Sequence, residues 1–510
     1  VTLIGSGTGS IGVLFLLNLL GTEKTIALLF LIAASAIVAH IMHRNIDRKA
    51  LVATAIILIM ALLIFNFLPQ QVRILCGKDQ HFSRLPPTEL IVSESNSYSQ
   101  LDTYEASPSR LLRIESNVLH DEDIANVTAY FTIIDCIGST EIGKARNIND
   151  FDFLSTSLTY FPYQIKNYDS VLIIGSGLGI DATKALVAGS KKVTAVEINP
   201  LIVKRSRLLD NETNAYDLPN VDVNVQEGRE FIASSNKKYG LIYLSSTKRY
   251  GGLGIKPYAL SENYLFTKEA FDLYLAHLSK EGILFIADLH WFTQRYTDTL
   301  IQLLLEKGME PKDHIIMVQG NFKSAVLVKN EKFTSGEKDK ILAKASELKF
   351  KGKFLMQEGI KKSKNSISIT DDRPFYWNIY PLHDLSAGKR EHTEFETEKN
   401  ESFVSLLNLL VLFASALIVY LVMFFIPLYL RKHEMKRAIG FLFYFSSLGM
   451  GFMIFELVFI QKFTLFLANP VFSLAIVLAS ILMFSGVGSL LTQKIDVDGA
   501  VKKLKLIIAS

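Results

Sequence analysis

Three alternating glycines in VLIIGSGLGID, at Gly175, Gly177 and Gly179, and the acid Glu197 in KKVTAVEINP are the residues best able to hold a small molecule. Glycines let a backbone approach a ligand closely, and a helix beginning just after them offers free N–H groups. Glu197 lies 22 positions beyond Gly175, at the tip of the next expected strand. A carboxylate there is placed to accept hydrogen bonds from ribose hydroxyls. A dinucleotide loop would read G-x-G-x-x-G, but Ile180 stands where its third glycine belongs. The spacing G-x-G-x-G fits a nucleoside with no pyrophosphate to cradle. A fold of the same kind that has lost its ligand is the alternative.

The remaining candidates are more scattered. Asp288 and His290 close an expected fifth strand, ILFIADLHW, where residues of such sheets often reach a ligand; capping or loop roles compete. Ser246 lies in LSSTKRYGG after the fourth strand. Glu262 and Tyr264 precede a helix expected over 265–278, whose N-terminus Glu262 would stabilise. Asp371, Asp372 and Arg373 stand together before PFYW, and an Asp–Arg pair bracing a turn near the membrane is the simpler reading. His43 and His433 lie in basic loops without metal-ligand spacing, so no metal is expected.

These residues need a scaffold, and the pattern supplies one. VLII reads as a buried parallel strand, DATKALVAG as a helix and VTAVE as a second strand. VDVNVQEGREFI gives a third strand ending near Glu227 and then a helix start; YGLIYLSS is a fourth strand. ENYLFTKEAFDLYLAHLSKEG reads as an amphipathic helix before the fifth strand. Alternation of this kind over 171–330 predicts a doubly wound α/β sheet with the ligand at the strand C-terminal ends.

The 510-residue chain has a mean hydropathy of +0.26 and is only 20% charged. The apolar excess lies at its two ends. Six stretches, 2–20, 26–42, 50–68, 403–430, 438–461 and 471–491, match the hydrocarbon thickness. The expected organisation is transmembrane helices over 1–68, a small β-rich domain over 69–150 and a nucleoside-binding α/β domain over 151–402. Transmembrane helices over 403–491 and a polar tail over 492–510 follow. Val1 already sits in an apolar run without the form of a signal peptide, which suggests an upstream part beyond the sequence given.

Arg44, Arg48 and Lys49, Arg431, Lys432, Lys436 and Arg437, and the tail lysines fall on one side of these spans. By the positive-inside rule the central domain then faces outward. That conflicts with nucleoside cosubstrates being kept inside cells. Inside the spans, Glu456 and Gln461 read as interhelical anchors or pathway residues; Gly449, Gly451, Gly486 and Gly488 would allow close helix contacts. The net charge of +4, without a basic stripe, gives no case for nucleic acid. Cys76 and Cys136 are compatible with one disulfide or two thiols, and sequons at Asn126, Asn211 and Asn400 fit either chance or glycosylation.

IVSESNSYSQLDTYEASPSRLLRI, VLIIGSGLGIDATKAL, VTAVEINPLIV, EGREFI, LSENYLFTKEAFDLYLAHLSKEGILFI and TDDRPFYW together resemble the spermidine synthase (polyamine aminopropyltransferase) family. LGMGFMIFELVFIQKFTLFLANPVFSLAIVLASILMFSGVGSLL is similar to the membrane portion of that family's membrane-fused relatives. The resemblance implies a Rossmann-like domain of the class I S-adenosylmethionine-dependent methyltransferase or spermidine synthase type. A small N-terminal β-domain, over 88–135, would precede it, and the whole would be inserted between transmembrane helical bundles. It implies that Gly175, Gly177 and Gly179 line a sulfonium nucleoside such as S-adenosylmethionine, that Glu197 binds ribose and that Glu227 sits near adenine. Gln100 approximates the family's S-x-Y-Q glutamine, with Ser99 as an extra residue.

The departure comes after the fourth strand. The family carries an acidic D-x-x-D there, whereas this chain has Ser245, Ser246 and Thr247. A hydroxyl does not act as a base near neutral pH, which argues against polyamine synthesis. The expectation is group transfer from a sulfonium nucleoside to a lipidic or membrane-proximal acceptor. Lipid, the nucleoside, and a second copy or another membrane protein are the expected partners. A non-catalytic scaffold is the rival, and nicotinamide-dependent oxidoreduction is weakened by Ile180.

Overall fold

The computed structural model describes residues 2–43, 90–106, 116, 118, 128–135, 138–145, 147–209, 214–247, 262–321, 323–353, 368–375, 410–423, 435–467 and 469–492. Cys76, Cys136, His433, the three sequons and the expected span at 50–68 lie outside the described residues.

In chain order the helices are α1 (Thr2–His43), α2 (Phe161–Ile165), α3 (Ile180–Val187), α4 (Pro200–Leu209), α5 (Gly228–Ala233) and α6 (Lys268–Ala276). They continue as α7 (His290–Glu306), α8 (Pro311–His314), α9 (Ser335–Glu347), α10 (Leu410–Met423), α11 (Met435–Leu467) and α12 (Pro470–Thr492). The chain divides into two compact units, one mainly of the terminal apolar helices and one containing both sheets.

In the second unit, β1 (Leu90–Ser95), β2 (Gln100–Ala106), β3 (Thr128–Ile134) and β4 (Gly138–Lys144) form a sheet in that order, with β2–β3 and β3–β4 antiparallel. An eight-stranded sheet carries the rest. Its strands are β5 (Ser170–Ile174), β6 (Lys192–Glu197), β7 (Val221–Val225), β8 (Tyr239–Ser245), β9 (Leu278–Leu289), β10 (Ile315–Gln319), β11 (Lys323–Lys329) and β12 (Lys351–Lys353). The order is β12-β10-β11-β9-β8-β5-β6-β7, parallel from β9 to β7 and antiparallel beyond β9. This is the doubly wound α/β sheet expected from the alternating pattern, in the class I methyltransferase-like Rossmann form that the resemblance implies.

The continuous apolar runs have a simple cause. Val171 and Ile173, with Leu241, Tyr243, Phe285 and Ala287, pack on one face; Leu172 and Ile174, with Ile242, Leu244, Leu284 and Ile286, pack on the other. Successive strand side chains point to opposite faces, so a sheet covered on both sides needs every position apolar.

Helix α6 is shorter than the pattern suggests. Thr267 caps it by accepting from the Ala270 N–H, and His277 ends it, so HLSKEG does not extend the helix and Leu278 already belongs to β9. Asp288 lies within β9, but His290 opens α7 rather than closing the strand.

In the other unit, α1 joins the first two expected spans into one helix broken at Gly21 (φ 78, ψ 173). Thr2–Ile26, Phe443–Leu467 and Pro470–Thr492 are long and apolar enough to cross a membrane; α10, inside the span expected at 403–430, is shorter and groups mostly with the sheet-containing unit. A Cβ on Gly486 would lie 2.7 Å from Ile4 Cγ1, and one on Gly7 2.9 Å from the Ala479 carbonyl, so each glycine leaves room for the facing helix and α1 and α12 pack closely there. Gly449, Gly451 and Gly488 meet nothing within 4 Å. Glu456 and Gln461 are half-buried on α11.

Candidate functional site

Strand β5 lies between β6 and β8: the chain runs outward from β5 through β6 to β7, then returns past β5 to place β8 on its other side. That reversal opens a crevice at the strand C-terminal ends, the usual ligand position in such sheets. Gly175, Gly177, Glu197, Glu227 and Ser246 all lie at that end.

The loop after β5 uses its glycines fully. Gly175, Gly177 and Gly179 have φ of 71, 57 and 105°, a region that penalises a Cβ. Space is also lacking: a Cβ on Gly175 would lie 2.5 Å from Thr247 Cγ2, and one on Gly177 would collide with Thr140 Oγ1.

Every N–H of this loop is already engaged. Gly175 and Ser176 donate to the Val196 carbonyl at 2.8 and 3.1 Å, and Gly179 donates to the Ser176 carbonyl at 3.0 Å. Gly177 donates to Glu197 Oε2 at 2.9 Å and Leu178 to Thr140 Oγ1 at 3.0 Å. Tyr216 closes the loop from below, donating to the Gly177 carbonyl at 2.6 Å and meeting Ser176 Oγ at 2.7 Å. At the start of α3, Asp181 already supplies a buried negative charge, held by Lys184 Nζ at 2.9 Å and by the Tyr243 hydroxyl at 3.0 Å. A ligand anion would have to displace these groups, so the loop does not offer the amide cradle a pyrophosphate requires.

Glu197 is buried, 6% exposed, at the end of β6. Its Oε1 accepts from the Asn199 N–H at 3.0 Å, opposite the Gly177 contact. Burial pushes its pKa above the ordinary 4.5, while the backbone donors of Asn199, Gly177 and Ile198 pull it down. A carboxylate has about four acceptor positions, so acceptor capacity remains for a ribose hydroxyl.

Glu227 caps α5 by accepting from the Glu230 N–H at 2.9 Å, and burial raises its pKa. The following Gly228 lies against Ile174 at the end of β5, which seats Glu227 beside the crevice. Two residues on, Arg229 grips Asp371 with two hydrogen bonds of 2.6 Å. Sequence reading missed this partner because 142 residues separate the two. The turn at 370–373 is closed by the Arg373 N–H donating to the Thr370 carbonyl at 2.9 Å, so Asp371 braces α5 across the fold rather than its neighbour Arg373.

The other candidates separate. Ser246 is exposed, with φ of 50°, and donates its N–H to the Ala287 carbonyl at 3.0 Å. Asp288 is buried, and its Oδ1 accepts from the Leu289 N–H at 2.7 Å. The two His290 ring nitrogens lie 2.8 Å from Ser324 Oγ and from the Asn321 carbonyl, which commits that ring to the β10–β11 connection. Gln100 is half-buried at the start of β2. Glu262 stands too far ahead of α6 to stabilise it, and Glu269 is the acid of its first turn. Among the described residues no group of three or more His, Cys, Asp or Glu side chains is placed to hold a metal ion.

Residues 154–315 match the family described as the spermine/spermidine synthase domain. A polyamine aminopropyltransferase of Clostridium perfringens (strain SM101 / Type A) is 26% identical over 184 residues, 34% of this chain and 62% of that protein. A polyamine aminopropyltransferase of Bacillus subtilis (strain 168) is 34% identical over 131 residues, 25% of this chain and 44% of that protein. The chain thus spans less than two thirds of the length of these curated relatives. Among solved structures, the spermidine synthase of Thermotoga maritima aligns with 58% of this chain and 86% of its own, at 12% identity and a TM-score of 0.33. A spermidine synthase in complex with the transition-state analogue AdoDATO gives 15% identity, 49% and 76% coverage and a TM-score of 0.34.

Proposed function

The chain is spermidine synthase-like, with its spermine/spermidine synthase domain at residues 154–315, and we propose that this domain binds a sulfonium nucleoside and transfers a group from it. The observation that carries the reading is the glycine loop with its amides internally engaged and the Glu197 carboxylate closing against it. Such a loop favours a ligand whose ribose meets a carboxylate and whose tail brings no anion. A decarboxylated S-adenosylmethionine fits better than intact S-adenosylmethionine, whose carboxylate would find the loop donors taken, or than a nicotinamide dinucleotide. Glu197 would hold the ribose and Glu227 the adenine end. The nucleoside would supply a carbon activated by its positive sulfur.

The apolar helices support a membrane-attached protein, and the basic segments flanking the expected spans support an outward-facing domain. A non-catalytic binding role is favoured by one feature, the hydroxyl residues Ser245, Ser246 and Thr247 where the family has carboxylates. Thermal melting of the full chain in detergent with decarboxylated S-adenosylmethionine, S-adenosylmethionine and NADH tests the reading. Ligand-linked stabilisation follows RT ln(1 + [L]/Kd), so a ligand at 100 times its Kd adds about 2.7 kcal/mol. The decarboxylated nucleoside should raise Tm most; no shift with any of the three would remove the reading.

A further inference from the structure

Hydroxyls on the apolar helices mostly settle their own hydrogen bonds. Ser10 donates to the Ser6 carbonyl at 2.9 Å, Ser35 to Leu31 at 2.7 Å and Thr464 to Ile460 at 2.7 Å, each four residues back. Thr25 does not. It is 1% exposed, and its Oγ1 has no hydrogen-bond partner among the described residues. The cause is the break in α1. Four residues back stands Gly21, whose φ of 78° and ψ of 173° turn its carbonyl out of the helical line. A helical side chain leans towards the helix N-terminus, so the Thr25 hydroxyl is aimed back at that break.

The turn between β1 and β2 belongs to the same unit and meets the same break. Ser95 Oγ accepts from the Thr22 N–H at 2.8 Å, and Asn18 Oδ1 accepts from the Ser97 N–H at 3.1 Å. A Cβ on Gly21 would lie 3.3 Å from Ser95 Oγ and 3.4 Å from the Ser95 carbonyl. Ser97 brings a second buried hydroxyl oxygen without a partner among the described residues. Asn469 Nδ2 donates to the Tyr98 hydroxyl at 2.5 Å, which ties the turn to the connection between α11 and α12.

Buried unpaired hydroxyls cost free energy unless something binds them. What the break leaves over is oxygen. The Thr22 N–H is committed to Ser95 and gives up the Asn18 carbonyl that it would meet in an unbroken helix. Hydroxyl and carbonyl oxygens at an interrupted membrane helix suit a cation. Of the charged residues in the next turn, Glu23 is half-buried and Lys24 exposed, so the carboxylate weighs more on the site. One carboxylate beside neutral oxygens balances a single positive charge, whereas calcium sites gather several carboxylates and magnesium keeps several of its waters.

We propose that the break in α1 is a sodium site, held by the hydroxyl oxygens of Thr25 and Ser97 together with carbonyl oxygens released at the break. The ion clasps the β1–β2 turn to α1 and makes the order of that turn depend on sodium. This site stands apart from the nucleoside reading.

The test melts the full chain in detergent in sodium chloride and in choline chloride, a cation too large for the site, at equal ionic strength. Sodium should raise Tm saturably. At ten times its Kd it should slow hydrogen exchange at the Ser97, Tyr98 and Ser99 amides by about tenfold, since opening must first release the ion. Thr25→Val and Ser97→Ala should each lose most of the sodium shift. Both should melt no lower than wild type in choline, because removing an unpaired hydroxyl forfeits no bond. Thr8→Val, at an exposed hydroxyl bonded to the Gly5 carbonyl, should keep the shift. Equal melting of wild type in the two salts, or a shift that survives in either site variant, overturns the proposal. A lower Tm of the site variants in choline also overturns it, since a trapped water would then pair these hydroxyls. Where a variant fails to fold, the sodium dependence of exchange in wild type decides: no slowing means no site.

Discussion

Cutting the Arg229–Asp371 clamp by Asp371→Asn should loosen the 368–375 segment without disturbing the sheet. The two bonds are 2.6 Å long and the side chains 19% and 24% exposed, between the surface and buried regimes. Surface ion pairs contribute about 0–1 kcal/mol, and breaking a buried pair costs about 3–5 kcal/mol, so roughly 2 kcal/mol is expected here. The clamp secures a set of backbone bonds that report on it: Asn263 to Pro374, Lys268 to Ile369 and Arg373 to Thr370. Asp371 adds its own N–H to Glu269 at 3.0 Å. Hydrogen exchange at these amides should accelerate about 30-fold, the equivalent of roughly 2 kcal/mol, while amides of β5 and β6 keep their protection. Arg229→Gln should give a similar change, and the double variant should add little to either single one. Exchange within about threefold of wild type, or additive single effects, would refute the clamp and return Asp371 to a local turn residue.

Gly177→Ala should abolish nucleoside binding, since its Cβ would meet Thr140 at a φ of 57°; calorimetric titration checks it. His290→Gln should lower Tm by a few degrees, through roughly 1 kcal/mol lost with its two hydrogen bonds, and leave nucleoside affinity unchanged. Glu262→Gln should melt no lower than wild type at neutral pH. The folded pKa of Glu262 lies above the unfolded one; its contribution to stability is therefore full below about 4.5 and is lost as pH rises through the folded value. Any advantage of the variant should shrink as pH falls towards that range, and a growing advantage would contradict the burial assignment.

Much of the scaffold was legible because the α/β unit writes its pattern locally. The apolar runs of β5, β6 and β8 mark strands covered on both faces, and the glycines mark a turn that no other residue fits. The start of α6 was not legible, because the Thr267 cap overrides an apolar periodicity that continues on both sides of it. Around the crevice, spacing alone put Gly175, Gly177 and Gly179 in a tight turn and Glu197 at a strand end, and the structure has them there. Arg229, Thr140 and Tyr216 were not legible, since each reaches the crevice through tertiary contacts from distant segments. Arg229 carried one local signal, its place two residues after an acid at a helix start. His290 shows the opposite failure: its position at a strand end looks chemical, yet both ring nitrogens serve a neighbouring loop.

Calorimetric titration of the full chain with decarboxylated S-adenosylmethionine, beside a Glu197→Ala variant shown to fold, tests the central claim most directly. The account predicts one saturable site in the wild type and at least about a tenfold weaker one in the variant, the equivalent of about 1.4 kcal/mol. Equal affinity in the two proteins, or no saturable binding in the wild type, would contradict it.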